Sequence, residues 1–510
     1  MLNRKFCKVK YFLSISIVIS LLLSNIVVSK SIFLNSKIND CSHAYANSIS
    51  YQNSEWFDGN FNGRWGKDKG CSEGKIWGNL NFGRSSSKGN FQGFWNSSDG
   101  ELFGAIEGKF RNNFLTGIIK NNNEESHLFF IGFILVNNTG FKAIILNPRL
   151  PIKNILGEYE ASFLPPITGP YGIGVKTMHL IDENRLENFT QDDPDDFREM
   201  MIQIWYPIDK EIRQLHAEYM DAPTFSWLKG RSPIPLFMIP NKAYLFVHPY
   251  SKIEVPIVEN EMIFPVIIFS PGYDGVYQIY TSLIENIVSH GFVVASINHP
   301  YVSGITVFPD GRTVNISKNP PGDLSLRSVV EDAKFVLDKI TEMNSTHADF
   351  NGRFDLSKVG MFGHSFGGAS TSICCYEDDR FCCGLTLDGV FYIDSIEQGI
   401  EKPFLMMIAE NRFNDDNVKD MWDHLLADAF KVQINGSTHY AFTDVGLLLK
   451  HYVPLIPINI LGFGEMPPKN MVNITRAVEL LFFEVYLKGK PVEDLLNLLS
   501  SLEEITFEIK

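Results

Sequence analysis

The stretch Lys358-Val359-Gly360-Met361-Phe362-Gly363-His364-Ser365-Phe366-Gly367-Gly368 decides the fold. A short apolar run leads into a G-x-S-x-G sequence, and a helix-like run follows from Gly368 to about Tyr376. Strand, tight turn and helix in that order are the setting of a nucleophile elbow. The glycines have a physical reason. A serine in so sharp a turn brings the backbone against the neighbouring strand and helix, where a Cβ does not fit. The turn raises the Ser365 hydroxyl at the C-terminal edge of a sheet, with the Phe366 N–H beside it.

A nucleophile on this scaffold needs an acid and then a histidine further along the chain. His439 meets the second need. It ends Val432-Gln433-Ile434-Asn435-Gly436-Ser437-Thr438-His439, an apolar strand running into a polar, glycine-containing loop. Of the 12 histidines, His364 adjoins the serine, His299 follows another strand and His451 lies outside the strand-end loop. The acid has two candidate positions. Asp388 ends the strand-like run Gly384–Leu387 and is followed by Gly389; the loop after Pro403–Ala409 offers Glu410, Asp415 and Asp416. Many hydrolases of this fold carry the acid in that second loop, about three residues past the strand, but here Arg412 stands at that place. Asp388 therefore leads, with Glu410 or Asp415 as the alternative. Its task is to hold the histidine tautomer and stabilise the imidazolium. An oxyanion hole requires two backbone donors: Phe366 N–H and an amide after an early strand. The apolar run Pro265–Ser270 continues into Pro271-Gly272-Tyr273-Asp274-Gly275, which makes Tyr273 N–H the second donor.

These segments together resemble the platelet-activating-factor acetylhydrolase family of serine lipases. The likeness covers Gly363–Ala369, Glu377–Asp388, Gly436–Asp444, Ser289–Ala295, Thr168–Gly174 and Phe482–Gly489, so it extends from about Gly157 to Lys490. The resemblance implies an α/β-hydrolase fold and supports Asp388 independently of spacing. It also implies an ester substrate of phospholipid type with a short or oxidised acyl group, and contact with a membrane or lipoprotein surface. Two departures bear on substrate preference. The oxyanion loop begins Pro271-Gly272 where the family usually has His-Gly, and Gly389-Val390-Phe391 stands where the family often has Ala-Trp-Met. The residues alone specify an ester or amide; a polyester or dienelactone-type hydrolase would share them. No metal or organic cofactor is implied.

Further from the elbow, the ends of the chain have their own texture. Arg4, Lys5, Lys8 and Lys10 precede a nearly apolar stretch from Tyr11 to Ser29, the pattern of an export signal or signal anchor over residues 1–29. The expectation is a secreted protein, or one anchored with its catalytic part outside the cytosol. In that compartment Cys41 and Cys71 could pair, while Cys374, Cys375, Cys382 and Cys383 read as small core residues. Asn96, Asn137, Asn188, Asn315, Asn344, Asn435 and Asn473 open Asn-x-Ser/Thr sites.

Residues 50–147 form a separate expectation. Gly59-Asn60-Phe61, Gly63-Arg64-Trp65, Gly89-Asn90-Phe91 and Gly108-Lys109-Phe110 repeat a glycine-x-aromatic unit, with aromatics alternating with polar residues. That is a small antiparallel β domain whose Trp56, Trp65, Trp77, Phe91 and Trp95 form the core of a thin sheet or a glycan- or lipid-binding stripe. A non-catalytic surface protein working through this domain is the rival reading. Asn147–Pro151 reads as the linker, and residues 157–510 as the catalytic domain. Two segments, Leu215–Pro256 and the apolar Val445–Ile458, read as walls or lids of the site, the second also as a buried helix. Net charge is −14, with no basic run beyond the N-terminus, which argues against nucleic acid.

Overall fold

A computed structural model describes the chain from Asp58 to Lys510 apart from short connecting stretches, the longest being residues 232–243. The export-signal segment, Cys41, Trp56, Cys71 and the Asn147–Pro151 break lie outside the described residues, as do the side chains of Trp65 and Trp77.

Eight antiparallel strands come first: β1 (Asp58–Gly66), β2 (Gly74–Ser85), β3 (Lys88–Ser97), β4 (Phe103–Arg111), β5 (Phe114–Asn121), β6 (His127–Leu135), β7 (Gly140–Leu146) and β8 (Lys153–Glu160). Each pairs with the next, and β8 returns to β1, so the sheet closes into a barrel instead of remaining thin and open. Closure removes both edges. On β3 the buried rings Phe91 and Trp95 flank Gly93 on one face, whereas Phe94 points out. Ile106 and Phe110 alternate with Gly104 and Gly108 on β4, and Leu115 and Ile119 flank Gly117 on β5. Large and absent side chains thus interleave in the barrel interior, as a small barrel requires. The expected boundary at residue 147 falls inside this unit. β8 pairs with both β7 and β1 and carries the barrel to Glu160, because backbone pairing, not the glycine-aromatic texture, defines its last strand.

The remaining chain builds a ten-stranded sheet from β9 (Gly172–Leu186), β10 (Phe197–Ile208), β11 (Ser251–Ile253), β12 (Phe264–Ser270), β13 (Val293–Asn298), β16 (Phe354–His364), β17 (Phe381–Leu387), β18 (Phe404–Ile408), β19 (Ala429–Ile434) and β20 (Ile505–Ile509). A small hairpin, β14 (Ile305–Val307) and β15 (Thr313–Asn315), stands apart. Sheet order is β11-β9-β10-β13-β12-β16-β17-β18-β19-β20. The six strands from β13 to β19 are parallel, and antiparallel partners flank them. Strands such as Phe264–Ser270 are buried along their whole length, because helices cover both faces. Helices Thr281–Ser289, Val445–Tyr452, Pro468–Lys488 and Val492–Ser501 pack on one face; Gly322–Thr346, Phe366–Glu377 and Asp416–Asp423 pack on the other. This is the α/β-hydrolase arrangement.

Helical expectations hold over Gln278–His290, Leu326–Asn344 and Arg476–Lys488. The helix expected over Asp416–Ala429 stops at Asp423, where the chain must turn to enter β19. Within the apolar Val445–Ile458 segment, Leu447, Leu448 and Leu449 are buried in the core, which makes that helix a structural element. Three of the four C-terminal cysteines are buried and Cys382 is half-buried; all four are free thiols.

Candidate active site

The parallel sheet changes winding direction between β12 and β16, which are neighbours although β13 follows β12 in sequence. At such a switch point the loops leaving the two strands part and leave a crevice at their carboxyl ends. The Pro271-Gly272-Tyr273 loop leaves β12 there, and Ser365 leaves β16.

Ser365 has φ +53° and ψ −113°, a conformation that non-glycine residues rarely adopt. Close packing of the elbow enforces it. A Cβ on Gly363 would lie 2.2 Å from Gly367 O, and one on Gly367 would lie 2.0 Å from Ser270 O. The turn is held by the Ser365 N–H donating to Leu387 O at 2.9 Å. Helix Phe366–Glu377 begins at the next residue, so the Phe366 N–H belongs to the first turn, which lacks intrahelical partners. The oxyanion-side loop comes equally close: a Cβ on Gly272 would lie 3.2 Å from Ser365 Cβ. Among the described residues, neither Tyr273 N–H nor Phe366 N–H donates to a backbone acceptor. The Tyr273 and Phe366 rings meet edge to face at 5.8 Å.

His439 sits at the start of a single helical turn after β19, with Nε2 2.9 Å from Ser365 Oγ and Nδ1 2.5 Å from Asp388 Oδ2. Asp388 follows β17 with φ +47°, and its side chain is almost wholly buried. Its other oxygen, Oδ1, accepts the Ala409 N–H at 2.9 Å and Arg412 Nη1 at 3.0 Å. Burial alone would raise this carboxyl. The hydrogen bond from His439, the Arg412 charge and the Ala409 amide outweigh burial and hold it at about 2. Asp388 is therefore a carboxylate, and His439 Nδ1 is the donor toward it. Nε2 is left to accept the serine proton.

The alternative acids are elsewhere. Asp415 caps helix Asp416–Asp423 by accepting the Val418 N–H, and Glu410 is exposed. Nothing among the described residues joins either to His439.

His364 has a different place from His439. It is buried, and its ring packs 4.5 Å from the His439 ring. Burial and the neighbouring imidazole push its pKa down to about 3, so it is neutral at ordinary pH. Its Nε2 lies 2.9 Å from His439 O, an acceptor only, so Nε2 carries the proton and Nδ1 accepts from the Tyr280 hydroxyl at 2.9 Å. The Tyr280 oxygen in turn takes the Gly272 N–H. One hydrogen-bonded chain thus joins the oxyanion-side loop to the histidine loop.

A second Ser-His-Asp arrangement carries no motif in the sequence. Ser270 Oγ is 2.9 Å from His299 Nε2, and His299 Nδ1 is 2.8 Å from Asp332 Oδ2. Arg198 and Arg185 both bind Asp332, and Arg198 also binds Glu187. Asp332 lies in an amphipathic helix and Arg198 on a sheet strand. No local signal unites them; a histidine directly after a buried strand is the one hint.

The family model described as platelet-activating factor acetylhydrolase, isoform II, matches residues 156–340 and 325–494, about two thirds of the chain. A protein of Arthroderma benhamiae described as a probable 1-alkyl-2-acetylglycerophosphocholine esterase is 26% identical over 265 residues, 48% of this chain and 66% of that protein. The platelet-activating factor acetylhydrolase of Cavia porcellus is 23% identical over 373 residues, 66% of this chain and 81% of the relative. Among solved structures, a ferulic acid esterase from Streptomyces cinnamoneus superposes with a TM-score of 0.58 at 25% identity, covering 67% of this chain and 98% of that one. With its elbow at the switch point of an α/β-hydrolase sheet, this chain belongs to the platelet-activating factor acetylhydrolase family and is a carboxylic ester hydrolase.

Proposed function

We propose that the chain removes short or oxidised sn-2 acyl groups from phospholipids through an acyl-enzyme on Ser365. The observation that carries this reading is the Ser365–His439–Asp388 hydrogen-bond series beside two amides without backbone partners. Ser365 Oγ attacks the ester carbonyl while His439 Nε2 takes its proton. The carbonyl oxygen becomes an oxyanion between the Phe366 and Tyr273 N–H groups. Collapse of the tetrahedral intermediate breaks the ester C–O bond, and His439 returns the proton to the leaving alcohol. Water, deprotonated by His439, then attacks the acyl-serine and frees the fatty acid and Ser365. Asp388 stabilises the imidazolium at both stages.

The phospholipid assignment rests on the family and on the names of its relatives. Exposed apolar side chains adjoin the reacting residues in sequence: Tyr440 is 63% exposed, Tyr273 42% and Val390 41%. With a net charge of −14, contact with a lipid surface would be made through such side chains and not through anionic headgroups. Export of the chain through residues 1–29 belongs to the same reading. Among the described residues no helix is long and apolar enough to cross a membrane.

The likeness to a ferulic acid esterase favours a second reading, a carboxylesterase for soluble esters. Release of sn-2 acyl groups from phosphatidylcholines of graded chain length, compared with Ser365→Ala, separates the two. Fast cleavage of acetyl and slow cleavage of palmitoyl, both lost in the variant, is expected. Turnover of soluble esters alone would move the substrate to the second reading, and no Ser365-dependent turnover would end both.

A further inference from the structure

Arg412 occupies the loop position at which hydrolases of this fold commonly place the acid, and it points back at the acid that this chain carries one strand earlier. The loop is shaped to do so. Asn411 takes φ +67°, the Arg412 N–H donates to Ala409 O at 3.3 Å, and Asp415 N–H closes onto Arg412 O at 2.9 Å. From there Nη1 reaches three acceptors: Asp388 Oδ1 at 3.0 Å, Gly389 O at 3.2 Å and Asp388 O at 3.3 Å. The two carbonyls belong to the turn that Asp388 makes at φ +47°, where the chain leaves β17. Such a turn is strained and needs outside partners. With Oδ1 held by Arg412 and the Ala409 amide, Oδ2 is the oxygen presented to His439 Nδ1.

We propose that Arg412 is a positioning residue for the reaction: it fixes Asp388 with Oδ2 toward His439, and its charge balances the carboxylate that faces the histidine. The inference rests on the reading of Ser365, His439 and Asp388 given above. A guanidinium within hydrogen-bonding distance of the carboxylate offsets part of the negative charge that would otherwise favour the imidazolium. The other groups facing the pair are few. The neutral His364 ring packs on His439, with Tyr280 behind it; Tyr440 lies edge-on at 5.5 Å; and Asp415 stands 3.8 Å from Arg412. The buried Asp444 follows on the same segment, bonded to Ser282. Among the described residues, Arg412 is the cation in contact with Asp388.

Charge and shape separate by substitution. Arg412→Gln keeps a donor for the turn and loses the charge; Arg412→Lys keeps the charge and loses the fork. The experiment is the pH dependence of kcat/KM on p-nitrophenyl acetate for wild type and both variants, with titration of the His439 imidazole by NMR in the full chain carrying labelled histidine. The acid limb of kcat/KM reports the proton equilibrium of the base. In Arg412→Gln the acid limb moves to higher pH and kcat falls with KM little changed. In Arg412→Lys, which keeps the charge, the acid limb stays at its wild-type position. Coincident pH profiles with unchanged kcat for wild type and Arg412→Gln would overturn the proposal. A wild-type chain without Ser365-dependent turnover would defeat the catalytic reading instead, and the His439 titration would still decide the role of Arg412.

Discussion

Two Ser-His-Asp series stand on adjacent strand ends among the described residues, and their differences set the proposed catalytic one apart. Ser270 pairs across the sheet with Gly363, two residues before Ser365. Both serines lie 2.9 Å from a histidine Nε2, and both histidines turn Nδ1 to an aspartate. Hydrogen-bond order therefore does not distinguish them. Access does: Ser270 and His299 are buried at 0% and 1% exposure, whereas the His439 side chain is 36% exposed. Backbone geometry does as well. Ser270 ends a regular strand, while Ser365 stands in a strained turn beside two amides free of backbone partners. Charge balance is the third difference. Asp332 is neutralised by two arginines, and burial holds His299 below the ordinary imidazole range. The buried series is a hydrogen-bonded and ion-paired network at the root of the Pro271–Tyr273 loop, whereas the open one lies beside two amides without backbone partners.

The largest effect should come from the open series. Ser365→Ala should lower kcat/KM by about four orders of magnitude or more, and Asp388→Asn should lower kcat by about the same factor through the wrong histidine tautomer. Steady-state rates on a soluble ester measure both. Retention of a tenth of the activity in Ser365→Ala would break the comparison at its root.

The buried series should instead show itself in stability. Asp332→Asn leaves Arg198, which is 2% exposed, with Glu187 as its remaining carboxylate partner. Removing one member of a buried charge network costs about 3–5 kcal/mol, which denaturant titration would read as a lowered midpoint. The fraction that stays folded should keep its turnover within about tenfold of wild type. A thousandfold loss of turnover without a change of midpoint would make Asp332 part of the chemistry.

The contrast also explains what could be read from the sequence. The elbow was legible because its demands are local: Gly363 and Gly367 are excluded from bearing side chains by contacts within five residues and with one neighbouring strand. His439 is readable as a candidate because a strand end followed by a glycine loop is a local pattern. Asp388 needed more, since strand-end aspartate and loop acids look alike until pairing places Asp388 N–H on Met407 O. Arg412 was visible as an oddity of position, and its function as a contact was not. The Ser270–His299–Asp332–Arg198 network was not legible, because its members are separated by 29, 33 and 134 residues and meet through sheet order alone. Barrel closure was hidden for the same reason, since β1 and β8 are the most distant pair in that unit.

Acid sharpens the comparison further. The Asp388 carboxyl, held at about 2 against an ordinary 3.8, is depressed in the folded state. Its stabilisation is complete above about pH 4 and is lost as pH falls through 2, amounting to roughly 2 kcal/mol. Asp332 is pushed lower still. On acidification the open series therefore loses its anion before the buried one does. Unfolding free energies of wild type and Asp388→Asn should converge between pH 4 and 2, whereas those of wild type and Asp332→Asn should stay apart over the same range. Parallel curves for the Asp388 pair would remove the acid-side difference between the two series.

The smallest expected effect is the most discriminating. Ser270→Ala removes one hydrogen bond to His299, and His299 keeps its bond to Asp332. The loss should be about 1 kcal/mol, because the group left behind is a neutral imidazole nitrogen and not a charge. The backbone at residue 270 stays pinned by its pairing to Gly363 and by the contact of Ser270 O with Gly367. The next three residues form the oxyanion-side loop, so a shift there would reach the Tyr273 amide. If backbone pairing alone places that amide, kcat/KM should remain within about threefold of wild type. If the Ser270 hydroxyl is needed to place it, kcat should fall about a hundredfold while KM and the unfolding midpoint stay put, the loss typical of one misplaced oxyanion donor. In that event the two series would form one device, with the buried one serving the open one through three residues of loop.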